Sequence, residues 1–176
     1  MSALIQEIGR YLSNFDHAGV CAVRRGIEQW SGGPHMDVVP RILPPCSFLP
    51  AALANVPDKA LARAIEEATP HLHWVTYDAY PRAEIGAAFA DGHAFASIIG
   101  EGAFRRADDF DLGLFVIAPN TLYRDHHHAA PELYAPLTGP HHWRFLPDKS
   151  FHSKPANEPV WNEPWAPHAT LTGDTP

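Results

Sequence analysis

Four residues in the stretch YRDHHHAAPELYAPLTG, residues 123–139, constrain this chain more than any others. His126 and His128 are two residues apart, three residues separate His128 from Glu132, and six separate Glu132 from Gly139. On a β-strand, residues two apart point to the same face, so the two imidazoles can converge. Imidazole nitrogens and carboxylate oxygens are good ligands for zinc, iron, nickel or manganese. A glycine after the second strand suits a turn with positive φ. The pattern H-x-H-x3-E-x6-G therefore predicts a metal site on two adjacent strands.

Composition and charge exclude several classes of protein. The 176 residues, of which 45% are hydrophobic and 19% charged, suit one globular domain with a real core. The net charge of −7 and the lack of a Lys/Arg cluster argue against nucleic-acid binding. Cys21 and Cys46 have the spacing of neither a disulfide framework nor a thiolate zinc site. No apolar run approaches the roughly 20 residues that span a bilayer. We therefore expect a cytoplasmic protein that binds neither nucleic acids nor membranes.

The first seventy residues have the apolar periodicity of helices. A first helix is predicted over residues 3–15, and Asp16 is placed to cap a second one, which ends at the Gly-Gly-Pro of residues 32–34. The proline-broken segment RILPPCSFLP, residues 41–50, predicts an extended surface connector. A third helix should run from about Pro57 to Thr69, because Pro70 stops it.

Short aromatic and β-branched runs replace this pattern after residue 73 and predict strands. Three of them are WVTYDAY (74–80), AFASIIG (94–100) and LGLFVIAP (112–119). The almost continuously apolar residues 110–118 should be covered on both faces. A Pro119-Asn120 turn follows, and the remaining predicted strands hold residues 123–128, 132–137, 141–147, 150–153, 160–161 and 168–172. The architecture is therefore mainly β behind a helical layer.

The spacing H-x-H-x3-E-x6-G resembles the first motif of the cupin superfamily at each of its positions. That motif opens with a Gly six residues before its first His, where this chain has Asn120, a residue that tolerates left-handed backbone geometry. The resemblance implies the cupin double-stranded β-helix, a jelly-roll-like barrel around the metal. The barrel would comprise residues 71–176, and residues 1–70 would form an N-terminal helical extension packed on it.

A fourth ligand is expected from a later strand. His168, in WAPHATLT, enters a strand after a proline-rich turn and resembles the His of the second cupin motif, although its neighbours fit that motif poorly. His152 is the competing candidate, and His141 and His142 are more distant ones. Because only eight residues follow His168, we expect the barrel to lack its last strand. An exposed sheet edge invites association, which predicts a homodimer.

Two tyrosines narrow the resemblance within the superfamily. The arrangement Y-x-x-H-x-H-x3-E-x-Y of residues 123–134 resembles the cupin-type dimethylsulfoniopropionate (DMSP) lyases, as do the W-x-P-H-A of residues 165–169 and a helical region before the barrel. Those lyases cleave the small molecule DMSP to dimethyl sulfide and acrylate. The resemblance implies one divalent metal ion, zinc or iron first and manganese or nickel as alternatives. The implied metal ligands are His126, His128, Glu132 and His168, with Tyr134 and Tyr123 at the substrate.

The chemistry of β-elimination assigns roles to these tyrosines. A proton must leave the carbon next to the carboxylate, and a metal that binds the carboxylate stabilises the developing charge. Free tyrosine has a pKa of about 10, and a nearby cation lowers it. Because Tyr134 shares strand parity with Glu132, its ring should lie near the metal, and we assign it as the general base. Tyr123 would orient the substrate or act as the alternative base. The competing interpretation is that both rings only line the barrel.

A sulfonium group carries a fixed positive charge that aromatic faces attract. The β region offers several aromatic residues for such a wall: Trp74, Tyr80, Trp143, Trp161 and Trp165. Two other functions stay open on the sequence. One is another metallocupin enzyme, such as a dioxygenase or a sugar isomerase, and the other is a non-catalytic cupin that binds a small ligand.

Overall fold

The computed structural model describes residues 1–78 and 80–176. The α-helices are α1 (Ser2–Leu12), α2 (Ala18–Trp30), α3 (Leu49–Asn55), α4 (Lys59–Ala68), α5 (Arg82–Ile85) and α6 (Ala87–Gly92). The strands are β1 (His93–Gly100), β2 (Arg105–Arg106), β3 (Leu112–Ile117), β4 (Leu122–His126), β5 (Glu132–Tyr134), β6 (His141–Phe145), β7 (His152–Lys154), β8 (Val160–Asn162) and β9 (His168–Leu171). None of the described helices is both long and apolar enough to cross a membrane.

The N-terminal helices form where their apolar periodicity predicts them. Helix α1 turns one face into the core, with Leu4, Ile5, Ile8, Tyr11 and Leu12 buried. Helix α4 begins after Asp58, whose carboxylate accepts hydrogen bonds from the backbone N–H groups of Ala60 and Leu61. The same carboxylate pairs with Arg10 of α1 at 2.7 Å, which joins the two helices. The cap of α2 is His17 rather than the predicted Asp16, and its ring accepts from the N–H of Gly19.

The proline-rich segment before α3 corrects the prediction of an extended surface connector. Pro44–Phe48 is a 3₁₀ helix that leads directly into α3, and Cys46 and Leu49 are buried. Both elements carry proline in their first turn, where the missing N–H has no partner to lose and the fixed φ suits a helix. The prolines therefore start helices here instead of preventing them.

The strands form three small sheets that pair mainly antiparallel. Their orders are β2-β1-β3, β4-β9-β6-β7 and β5-β8. Asn120, at the turn between β3 and β4, has a φ of 53°, which is the left-handed geometry expected for the residue at the cupin Gly position. Gly139, which precedes β6, has a positive φ of 157°. The mixed helical and antiparallel β architecture is that of a cupin with an N-terminal helical layer.

Three details differ from the predicted strands. Residues 74–78 make a single bridge, Val75 to Phe95, and Ala79 of the predicted strand lies outside the described residues. The short helices α5 and α6 occupy part of the region predicted as barrel. In β3 only Val116 and Ile117 are buried, so this strand is only partly covered. Phe89 of α6 is fully buried and stacks on Tyr123 of β4.

One apolar core joins the helical layer to the first sheet. It contains buried residues from α1, α2 and α4 as well as from β1 and β3. A smaller cluster lies under the site described below and consists of Ile85, Phe89, Ile117 and Tyr123. The division into residues 1–70 and 71–176 stays a prediction.

Replacing Gly173 with Ala should lower the free energy of unfolding by about 2 kcal/mol or more, because a Cβ there would overlap the backbone oxygen of Pro140. Gly9→Ala is the matched control, since nothing lies within 4 Å of the added Cβ and alanine favours the helix. Urea unfolding of both variants measures the difference. Equal stability of Gly173→Ala and the parent protein would contradict the tight packing at this turn.

Candidate metal centre and active site

Strand pairing brings two of the predicted ligands together. In the antiparallel pair β4–β9, His126 lies directly opposite His168. The predicted strand through His128 is wrong in its extent, because β4 ends at His126 and its register is irregular between Tyr123 and His126. A loop places His128 instead, and its carbonyl accepts from the backbone N–H of Trp165, three residues before His168, at 2.8 Å.

The three imidazoles form one group. A ligand nitrogen from each of His126, His128 and His168 lies within 4.8 Å of the other two. His126 and His168 are buried and His128 is half-buried. Three imidazoles at this separation can hold one metal ion.

Backbone carbonyls set the tautomer of each ring. The Nδ1 atoms of His126, His128 and His168 lie 2.8, 2.7 and 2.8 Å from the carbonyl oxygens of Arg124, Ala130 and Ala166, respectively. Because a carbonyl only accepts, each Nδ1 carries the proton. When such a ring is neutral, its Nε2 atom presents a lone pair. This carbonyl–imidazole arrangement is the one that orients histidine ligands of metals.

Glu132 lies at the edge of the histidine group. Its Oε2 atom is 3.3 Å from Nε2 of His128 and 3.6 Å from Nε2 of His168. Nδ2 of Asn162 donates to the same oxygen at 2.8 Å. Burial alone would raise the pKa of this carboxyl, but the neighbouring His128 and His168 rings and the amide of Asn162 outweigh it and lower the pKa to about 2. Glu132 is therefore anionic at neutral pH.

The donor set fits a divalent cation. Nε2 of His168 is buried without a hydrogen-bond partner among the described residues, which is costly unless something else binds it. Burial lowers the pKa of His126 to about 4, so this ring is neutral at neutral pH, as a ligand must be. An anionic carboxylate beside neutral imidazole lone pairs is the chemistry that zinc, iron and related ions prefer.

The competing histidines lie elsewhere. His152 is exposed on β7, and its Nε2 bonds the carboxylate of Asp148 at 2.6 Å. His141 is buried, but its ring is occupied by the Thr138 hydroxyl at 3.0 Å and the N–H of Gly173 at 3.1 Å. The structure thus places His168 with the predicted group and separates the alternative His152 from it. That these side chains bind a metal stays a prediction.

Tyr134 lies on β5, two residues after Glu132, with its ring beside Phe115 and Trp143 at centroid distances of 6.4 and 5.9 Å. Burial, together with the negative charge of Glu132, raises the pKa of its hydroxyl well above the usual value of 10. Without a cation beside it, this phenol stays protonated. On β5 this residue lies on the same face as Glu132, as strand parity requires, and its position beside a bound metal stays a prediction.

Tyr123 is buried between two rings. It stacks on Phe89 at 3.8 Å and on His126 at 3.7 Å, and burial raises the pKa of its hydroxyl well above the usual range. Its ring therefore braces the first histidine of the group. Substrate orientation and action as an alternative base both stay predictions for this residue.

The aromatic residues that were predicted to form one wall lie in different parts of the fold. Trp74 is fully buried in the main core, and Trp161 packs against Gly19 of α2. Trp143 contacts Tyr134, whereas Trp165 is 63% exposed, has a φ of 62° and lies 5.7 Å from the His127 ring.

A cleft of about 210 Å³ opens beside His126. Tyr80 and Arg124 are among the residues that line it. The hydroxyl of Tyr80 donates to the carbonyl of His127. Of the five predicted wall residues, Tyr80 is thus the one on this cleft.

Asn162 is a member of the site that sequence reasoning missed. It is fully buried and lies opposite Glu132 in the β5–β8 pair. Nothing in the local sequence VWNEP distinguishes this asparagine from an ordinary turn residue. Only the register of β5 and β8, two strands with β6 and β7 between them in the chain, reveals it.

Metal affinity should rise with pH at this site. The hydrogen bond to Glu132 raises the pKa of His128, although burial opposes it, so below that pKa a metal ion must displace a proton from the ring. Zinc affinity should therefore increase by up to about tenfold per pH unit below the pKa and level off above it. Calorimetric titration with zinc at several pH values, in buffers of different ionisation enthalpy, measures both affinity and proton release. A pH-independent affinity would contradict proton displacement from His128.

Helical layer, antiparallel sheets and a buried group of imidazoles together define a protein of the cupin class with residues that could hold a metal ion. The family model for dimethylsulfoniopropionate lyase matches residues 21–176, and the chain belongs to that family. Among curated proteins, none matches its sequence.

Solved structures share the fold. A chain from the crystal structures of the DMSP lyases RdDddP and RnDddQII superposes with a TM-score of 0.74 at 17% identity, over 98% of this chain and 86% of that chain. The DMSP lyase DddQ from Ruegeria pomeroyi DSS-3 has a TM-score of 0.74 at 22% identity, over 98% of this chain and 84% of its own. These similarities confirm the predicted fold class.

Proposed function

We propose that this protein is a metal-dependent lyase that cleaves DMSP by β-elimination to dimethyl sulfide and acrylate. One observation carries the proposal. A ring nitrogen from each of three histidines converges with the others, Glu132 lies beside two of the rings, and Tyr134 follows it two residues later on the same strand. Membership of the DMSP lyase family supplies the substrate.

His126, His128, His168 and Glu132 would hold the metal ion. A divalent ion bound there supplies positive charge that stabilises a substrate carboxylate as negative charge develops on the neighbouring carbon, and it favours the phenolate of an adjacent tyrosine. Asn162 and the three backbone carbonyls hold these side chains in place.

Tyr134 would remove the proton. In the proposed step its phenolate oxygen takes a proton from the carbon next to the carboxylate. The C–H electron pair becomes the double bond of acrylate, and the C–S bond breaks with its electrons moving to sulfur. The leaving dimethyl sulfide is neutral, so no acid is needed for its departure. The half-buried Tyr134 ring lies beside Phe115 and Trp143, whose apolar surfaces would limit the access of water to the base.

The test is a headspace assay for dimethyl sulfide. The purified protein is stripped of metal, loaded separately with zinc, iron, manganese or nickel, and incubated with DMSP. We expect product with at least one metal and none above background for Glu132→Ala or for the stripped protein. No product above that control with any metal would overturn the proposal. Oxygen consumption in the same vials would point instead to a dioxygenase.

The homodimer and the cytoplasmic location are further proposals. Among the described residues the β4-β9-β6-β7 sheet ends at β4 and β7, and such an edge is a surface on which a second copy could add a strand. Sedimentation of the purified protein at several concentrations tests the dimer independently of any activity.

A further inference from the structure

We propose that Asn162 is the positioning residue for Glu132, and that it acts on metal affinity by holding one carboxylate oxygen toward His128 and His168. The inference rests on the proposed metal centre and is independent of the DMSP chemistry. Its basis is the position of one asparagine that packing alone does not explain.

The location of Asn162 is unfavourable for an asparagine. It lies on β8 and is fully buried, although asparagine is a poor strand former and its amide is costly to bury. Val160, two residues earlier on the same strand, shows that an aliphatic side chain suits buried positions here. A buried polar side chain at position 162 therefore indicates a hydrogen-bonding role.

That role is a single hydrogen bond to Glu132. Nδ2 of Asn162 donates to Oε2 of Glu132 at 2.8 Å, while Oδ1 has no partner among the described residues. The amide orientation is forced, because a carboxylate accepts and only the NH₂ end can donate to it. Among the described residues, the side-chain amide of Asn162 thus has one hydrogen-bond partner, and that partner is the carboxylate of the site.

The geometry of Glu132 shows what the contact does. The two residues face each other directly in the β5–β8 ladder, so the bond is short and within one pair of strands. The oxygen it holds is the same one that lies 3.3 Å from His128 and 3.6 Å from His168. A glutamate side chain has three rotatable bonds, and fixing one oxygen beside the histidines removes the entropic cost of ordering it when a metal binds.

The main variant is Asn162→Leu, which keeps the size of the side chain and removes the donor. Zinc affinity, measured by competition with a chromogenic chelator, should fall about 10- to 100-fold. Thr170→Val is the matched control, because Thr170 is also buried on a strand, β9, and its hydroxyl has no hydrogen-bond partner among the described residues. Its zinc affinity should equal that of the parent protein.

A cycle with Glu132→Ala separates positioning from general damage to the fold. If Asn162 acts through Glu132, then adding Asn162→Leu to Glu132→Ala should change zinc affinity by less than about twofold. A merely structural role would weaken zinc binding equally in both backgrounds, and that result would overturn the inference. So would parent-like affinity in the single variant.

If Asn162→Leu does not fold, Asn162→Ser takes its place. It removes the amide with a smaller side chain, and we expect the same loss of zinc affinity and apply the same criterion.

Two further results separate this inference from the proposed function. A parent protein that binds no zinc, iron, manganese or nickel would overturn the proposed metal centre and this inference together. Zinc binding that depends on Asn162 without release of dimethyl sulfide would support the inference and count against the proposed reaction alone.

Discussion

Tyr134→Phe should lower the turnover of DMSP by about 10²- to 10⁴-fold, which is the range for removal of a general base. The substitution deletes only the hydroxyl, and the remaining ring keeps its contacts with Phe115 and Trp143. Because the phenol is not one of the proposed ligands, bound metal should stay at the parent level. Headspace dimethyl sulfide and metal content are measured on the same preparation.

Tyr123→Phe is the matched control for this result. The Tyr123 ring is also buried beside the group, where it stacks on Phe89 and His126. Its phenylalanine variant should keep most of that stacking and lose far less activity than Tyr134→Phe. The reverse ranking would transfer the role of base to Tyr123, which is the alternative that the sequence left open. Parent-like activity in both variants would exclude Tyr134 and Tyr123 as the base.

His168→Ala should weaken zinc affinity by at least about 100-fold and abolish dimethyl sulfide production with it. This ring is fully buried, its Nδ1 is held by the carbonyl of Ala166, and its Nε2 has no other partner among the described residues. Removing it takes one of three converging imidazoles from the centre. Zinc affinity by chelator competition and activity after zinc loading test the two expectations.

His152→Ala is the control for the histidine experiment. It removes an imidazole that is exposed and bonded to Asp148, away from the group. Its zinc affinity and activity should match those of the parent protein. If His152→Ala lost metal while His168→Ala kept it, the fourth ligand would have to be reassigned.

Local sequence information predicted most of the secondary structure and failed where two local signals conflict. The apolar spacing that defines α1 and α4, and the turn at Asn120, depend on residues close in the chain. In residues 41–50 the prolines favoured an extended chain, but proline is equally suited to the first turn of a helix. Burial of Cys46 and Leu49 under the helical layer decided between these states.

The same distinction between local and long-range information applies to the candidate site. The sequence by itself determined the types and spacing of His126, His128 and Glu132, and strand parity placed Tyr134 on the face of Glu132. Only the tertiary structure shows that His168, rather than His152, lies beside His126, because the pairing of β4 with β9 joins residues more than forty positions apart. It also revealed Asn162, which meets Glu132 across β5 and β8. The spacing of residues along the chain determines which side chains lie on the same face of one strand. Which strands pair, and in what register, depends on contacts between residues far apart in the sequence, and no short motif encodes those contacts.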